Sequence, residues 1–133
     1  GGQEKKAGMV VIDTSIIIDH LRQKPEDSAL VRLTERIPDE KLAISMVTIQ
    51  ELYEGKSVVD KVNEKEMLTV LTGFEILPYG YEIAKKAGEL NRSLAQPLDL
   101  ADAAIAATAI INGYSLATLD KKDFAGIDGL ELI

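Results

Sequence analysis

The sequence has no cysteine, which rules out a disulfide framework, a thiolate zinc site and a thiol nucleophile. It has a single histidine, His20, so a multi-histidine metal centre is excluded as well. No apolar run reaches the roughly 18 residues needed to span a bilayer. The first residues, 1–8 (GGQEKKAG), lack the apolar core of a signal peptide and read as a cloning scar or solvated arm ahead of Met9. A cytoplasmic location is the expectation. There is no Gly-rich phosphate loop, no Gly-x-Gly-x-x-Gly turn and no EF-hand loop, so nucleotide and dedicated calcium sites lack support. A basic excess is also missing: the net charge is −7, unlike a general nucleic-acid coat protein. An enzyme that holds cations on clustered acids is compatible with that balance.

What remains is ordinary for one folded domain of 133 residues, with 46% apolar and 28% charged residues. Short β-branched or aliphatic runs at 9–12 (MVVI), 41–46, 74–77, 114–118 and 130–133 read as five strands. Helical spacing fills the intervals at 14–21, 26–37, 47–55, 58–71, 81–94 and 100–111, with Thr48 expected to cap the third helix. Alternating strands and helices predict an α/β fold, an open parallel sheet with helices on both faces.

Ligands of such sheets bind beyond the carboxyl ends of the strands. Asp13 follows the first strand directly. Glu51 is expected in the first turn of the helix after the second strand. Asp120 follows the fourth strand, with Asp123 one turn on, and Asp102 opens the Ala-rich helix after Pro97. Each acid alone could be a helix cap or a dipole partner, and Thr48-x-x-Glu51 has capping-box form. Capping does not explain why four segments deliver acids to one edge. Convergent carboxylates repel one another unless protonated or bridged by a cation. An all-oxygen donor set favours Mg²⁺ or Mn²⁺ over zinc. Asp99, three residues before Asp102, is placed to cap that helix. Lys121 and Lys122 are the best placed of the cations Arg22, Lys24, Lys85, Lys86, Arg92, Lys121 and Lys122 to meet an anionic substrate. His20 lies about two turns past Asp13 and is not needed as a base where metal activates water.

These residues resemble the PIN domains, and among them the VapC-type toxins, over residues 9–133. The resemblance is carried by VIDTSIIIDHL (11–21), ISMVTIQELYEG (44–55) and LADAAIAATAIINGYSLATLDKKDF (100–124). It implies a three-layer α/β/α sandwich and a metal-dependent ribonuclease whose acids fall on Asp13, Glu51, Asp102 and Asp120. Ser15 and Thr118 match small polar positions that help hold such a site. Many relatives carry Asn at the position of Asp120 with an acid at that of Asp123, which leaves their relative roles open. Close relatives pair with an antitoxin and form homodimers. Apolar residues including Ile16, Ile17, Leu52, Tyr53 and Val58 are candidates for such a surface, or for the core. A PIN nuclease of RNA processing and a catalytically silent PIN module are the alternatives. A haloacid-dehalogenase-type phosphatase also places an Asp after its first strand, but Ser15 stands where its second Asp belongs.

Overall fold

Val10, Val11 and Ile12 favour extended backbone and bury both faces of the strand they form, as the centre of a covered parallel sheet requires. The computed structural model describes residues 8–133, so most of the expected N-terminal arm lies outside the described residues. Strands β1 (Met9–Ile12), β2 (Lys41–Ser45), β3 (Glu75–Leu77) and β4 (Ser115–Ala117) pair in parallel in the order β3-β2-β1-β4. Among the described residues, seven α-helices connect and flank them: α1 (Thr14–Arg22), α2 (Ala29–Arg36), α3 (Met46–Glu54), α4 (Lys61–Leu71), α5 (Tyr81–Ser93), α6 (Leu100–Asn112) and α7 (Lys121–Phe124).

Alternation along β1 divides the core in two. Val10 and Ile12 pack with Ile16 and Ile17 of α1, Leu30 and Leu33 of α2 and Met67 and Leu71 of α4. Val11 points the other way, into Leu90 of α5, Ala104, Ile105 and Ala109 of α6, and Phe124. Successive strand side chains face opposite sides, so one strand anchors both helical layers. The three-layer α/β/α sandwich follows. No helix among the described residues is long and apolar enough to cross a membrane.

Several boundaries differ from the sequence reading. The helix expected over 26–37 is broken: a 3-10 turn at Pro25–Asp27 precedes α2, and the Ser28 hydroxyl caps α2 by accepting from the Val31 N–H at 3.2 Å. The helix expected over 58–71 also begins later. A 3-10 turn at Lys56–Val59 leads to Asp60, whose carboxylate accepts from the Val62 and Asn63 N–H groups. Helix α3 starts one residue early, and Ser45 rather than Thr48 caps it, accepting from the Val47 N–H at 3.1 Å. The fifth strand reduces to one bridge between Leu132 and Leu116. Gly126 and Gly129 adopt positive φ of 78° and 81°, and the turns they make leave little straight chain to pair. Ile16, Ile17 and Leu52, considered above for an outer surface, are 4%, 0% and 5% exposed and belong to the core.

Candidate active site

In the order β3-β2-β1-β4, the chain moves outward from β1 in opposite directions to reach β2 and β4. The carboxyl ends of β1 and β4 therefore flank the switch point where open α/β sheets bind ligands. The Asp13 N–H donates to the Ala117 carbonyl at 2.9 Å and ties the two strand ends together.

Asp13 is the N-cap residue of α1, yet its carboxylate makes no capping bond to the helix. Its Oδ2 instead accepts from the Thr118 hydroxyl at 2.7 Å and the Ser15 hydroxyl at 2.8 Å. Thr118 Oγ1 in turn accepts from the Asp120 N–H at 2.9 Å, and Ser15 Oγ from the Leu119 N–H at 3.3 Å. Two hydroxyls thus fasten the loop after β4 to the start of α1 and orient the Asp13 carboxylate. Burial pushes the Asp13 carboxyl up; the Thr118 and Ser15 bonds oppose that, and the charge of Asp120 adds to it.

Glu51 lies in the second turn of α3, not the first, because α3 begins at Met46. Its Oε1 sits 2.6 Å from Thr14 Oγ1, which is also 2.9 Å from Thr48 Oγ1. Thr14 has one hydroxyl proton, so it donates to the carboxylate and Thr48 donates to it. Burial raises the Glu51 carboxyl, the Thr14 bond lowers it, and Asp13, Asp99 and Glu54 raise it further. Thr14 was not singled out in the sequence. Its only signal was its place between Asp13 and Ser15.

Asp99 caps α6, its Oδ1 accepting from the Asp102 N–H at 2.8 Å. Asp102 is the third residue of α6 and is half-buried. Its carboxyl is pushed up to about 7, first by burial and then by the charges of Asp99, Asp13, Glu51 and Asp120. Four segments far apart in sequence thus bring acids into one electrostatic field. Among the described residues, no three acidic or imidazole groups already close into a ready-made metal cage. Like charges without a counter-ion hold apart, and Mg²⁺ characteristically fills its sphere with water and substrate oxygens. An oxygen-only donor set of mutually destabilised carboxylates fits a hard divalent cation.

Asp120 precedes α7, and its side chain makes no capping bond. It acts on both Asp13 and Asp102, whereas Asp123 is among the main contributors to neither. Lys121 and Lys122 are exposed beside it, along a shallow cavity with Thr118, Leu119, Asp120 and Asp123. Arg22 lines a second cavity of about 350 Å³ that reaches Glu51. Lys86 faces a separate cavity with Glu89 and Asp128 and is not brought to the acids. No described contact joins Lys24, Lys85 or Arg92 to them. His20 Nδ1 is 2.7 Å from the hydroxyl of the fully buried Ser28, the α2 cap, which accounts for it structurally.

Residues 10–130 match the family model described as the PIN domain. The chain belongs to the PIN-domain family. It is 36% identical to Ribonuclease VapC1 of Rickettsia felis over 135 residues, covering 93% of this chain and 94% of that one. It is 31% identical to Ribonuclease VapC10 of Mycobacterium tuberculosis H37Rv, covering 92% and 91%. Among solved structures, the DNA-bound VapBC of Salmonella typhimurium superposes with a TM-score of 0.82 at 24% identity, over 95% of this chain and 97% of that one. That likeness shows the PIN fold. A toxin–antitoxin complex from Klebsiella pneumoniae matches with a TM-score of 0.73 and 30% identity, over 91% and 94%.

Proposed function

We propose that this PIN-domain chain is a ribonuclease that hydrolyses RNA phosphodiesters with Mg²⁺ or Mn²⁺, and that it is the toxin of a toxin–antitoxin pair. The observation that carries the reading is the convergence of Asp13, Glu51, Asp102 and Asp120 beyond the carboxyl ends of β1 and β4, with three of the four carboxyls raised by burial and by one another. The names of the Rickettsia and Mycobacterium relatives support the ribonuclease activity, and the Klebsiella complex supports the pairing.

In this reading Asp13, Asp102 and Asp120 hold the cation, and Glu51 holds a second one or orients the attacking water. A bound divalent cation supplies an acidified water and offsets charge on the phosphate oxygens. The chain's own residues do the rest. Ser15 and Thr118 keep the Asp13 carboxylate in one orientation through two hydrogen bonds. Thr14 holds Glu51 through one hydrogen bond to its carboxylate. Asp99 sets the start of α6 and so the position of Asp102. Lys121 and Lys122 attract the phosphate backbone. No protein nucleophile and no histidine base are required.

The test is cleavage of single-stranded RNA by the purified chain. Cleavage is expected with Mg²⁺ or Mn²⁺ and is expected to stop in excess EDTA. Undiminished cleavage in EDTA would sink the reading.

A further inference from the structure

On its β4 side the acid-bearing edge opens into a cavity of about 190 Å³. Arg32 and Arg36 of α2, Lys121 at the start of α7, and Thr118 and Leu119 of the loop after β4 contribute to its wall. No lining side chain is a carboxylate, although acidic residues outnumber basic ones by 22 to 15 in the chain. Arg32 and Arg36 stand one helical turn apart on one face of α2. Both are exposed, and among the described residues neither forms an ion pair. The cavity on the other flank of α1 differs, because Glu51 and Glu66 line it beside Arg22 and Lys56. Of these two cavities, only the one lined by Arg32 and Arg36 has no acidic side chain in its wall.

The wall of this cavity is shared with the acids: the Thr118 hydroxyl that donates to Asp13 at 2.7 Å belongs to a residue lining it. A polyanionic chain with one phosphate at the acids must lay its neighbouring phosphates to either side. We infer that Arg32, Arg36 and Lys121 form a subsite that grips the RNA phosphate adjacent to the scissile one, an inference that rests on the ribonuclease reading above. Arginine suits the task because its planar fork can give a phosphate two parallel hydrogen bonds. Phosphate contacts set position and direction and carry no base information. The subsite therefore decides which way the strand runs across the acids, not which base is cut.

The experiment measures binding and cleavage separately. Asp102→Asn serves as a non-cleaving background for fluorescence anisotropy with a labelled single-stranded RNA in Mg²⁺. Adding Arg32→Ala and Arg36→Ala is expected to weaken binding about tenfold and to make the slope of log K against log salt shallower by about 1.4, two contacts at about 0.7 each. Arg32→Lys with Arg36→Lys keeps both charges and is expected to restore the slope. Both positions are exposed, so melting temperatures confirm that the variants fold. In the cleaving chain the same alanine pair is expected to lose kcat/KM chiefly through KM. Unchanged affinity and salt slope in the alanine pair overturn the subsite, while EDTA-sensitive cleavage by the unaltered chain leaves the ribonuclease reading standing. If the unaltered chain does not cleave, that reading falls, and the anisotropy series still decides whether these arginines hold RNA.

Discussion

Asp13 and Asp99 occupy the same position, one residue before a helix, and use their carboxylates differently. Asp99 caps α6 through the Asp102 N–H, whereas Asp13 leaves α1 uncapped and turns to Ser15 and Thr118. Asp99→Ala is expected to cost about 1 kcal/mol, the usual scale for a lost cap, with cleavage reduced modestly; denaturant melts and rate measurements check it. Asp102→Asn is expected to keep the fold and abolish cleavage. It also has a pH signature. The folded, metal-free chain keeps the Asp102 proton up to about pH 7, while an unperturbed carboxyl releases it near 3.8. The folded state then binds more protons than the unfolded state in that window. The contribution of Asp102 to stability is present below about pH 4 and is lost as pH rises through 7, with Asp13 and Glu51 shifted in the same direction. Melting temperature in EDTA is expected to fall across that range, less steeply in Asp102→Asn. Mg²⁺ is expected to raise it again near neutrality, because ligand binding to the folded state stabilises it. Identical pH profiles for the two proteins would count against this assignment.

Between elements, the site depends on contacts that join loops to helices. The Thr118 hydroxyl bonds Asp13 and receives the Asp120 N–H, so one side chain connects β4, the start of α1 and the start of α7. Thr118→Val keeps the shape and removes both bonds. It is expected to cost about 1–3 kcal/mol, since the Asp13 carboxylate keeps only its Ser15 bond and the Asp120 N–H loses its acceptor, and to lower cleavage more than Asp99→Ala does. Asn91 has a comparable role in the α5–α6 connection. Its side chain donates to the Leu98 carbonyl at 3.0 Å and accepts from the Leu98 N–H at 2.9 Å, closing the loop that contains Pro97. Asn91→Ala is expected to destabilise by about 1–2 kcal/mol and to weaken Mn²⁺-induced stabilisation through the displaced start of α6. A melting curve with and without Mn²⁺ separates the two effects. Thr118 was anticipated from the family resemblance, whereas the role of Asn91 is not visible in the sequence, where it is one polar residue near a helix end.

For the whole molecule, net charge −7 and a cluster of raised carboxylates lead to the expectation that divalent cations stabilise the chain. Of the apolar candidates named from the sequence, Tyr53 is exposed at 44%, and Val59 and Val62 lie exposed around the same α3–α4 connection at 81% and 67%, so these three, rather than the buried Ile16, Ile17 and Leu52, are the candidate surface for the expected self-association. Light scattering is expected to show a dimer, and Val59→Asp with Val62→Asp to weaken it. A monomer at high concentration removes the idea.

Much of this was legible locally. The β-branched run of β1, the Asp that ends it, the Ala-rich α6 and the Asp99 cap are set by residues within a few positions of one another. Propensity, periodicity and cap chemistry act over that range, so sequence alone determined the layers and the order in which the acids arrive. It misjudged the 26–37 and 58–71 helices because Ser28 and Asp60 compete for backbone N–H groups inside an otherwise helical pattern. The strand order β3-β2-β1-β4 was decided only by the tertiary structure. That order places Thr118 against Asp13 across 105 residues and Thr14 against Glu51 across 37. It also places α2 beside the loop after β4, where Arg32, Arg36 and Lys121 share one cavity. Such contacts depend on burying both faces of one sheet at once, a condition that the whole chain meets and that no short segment encodes.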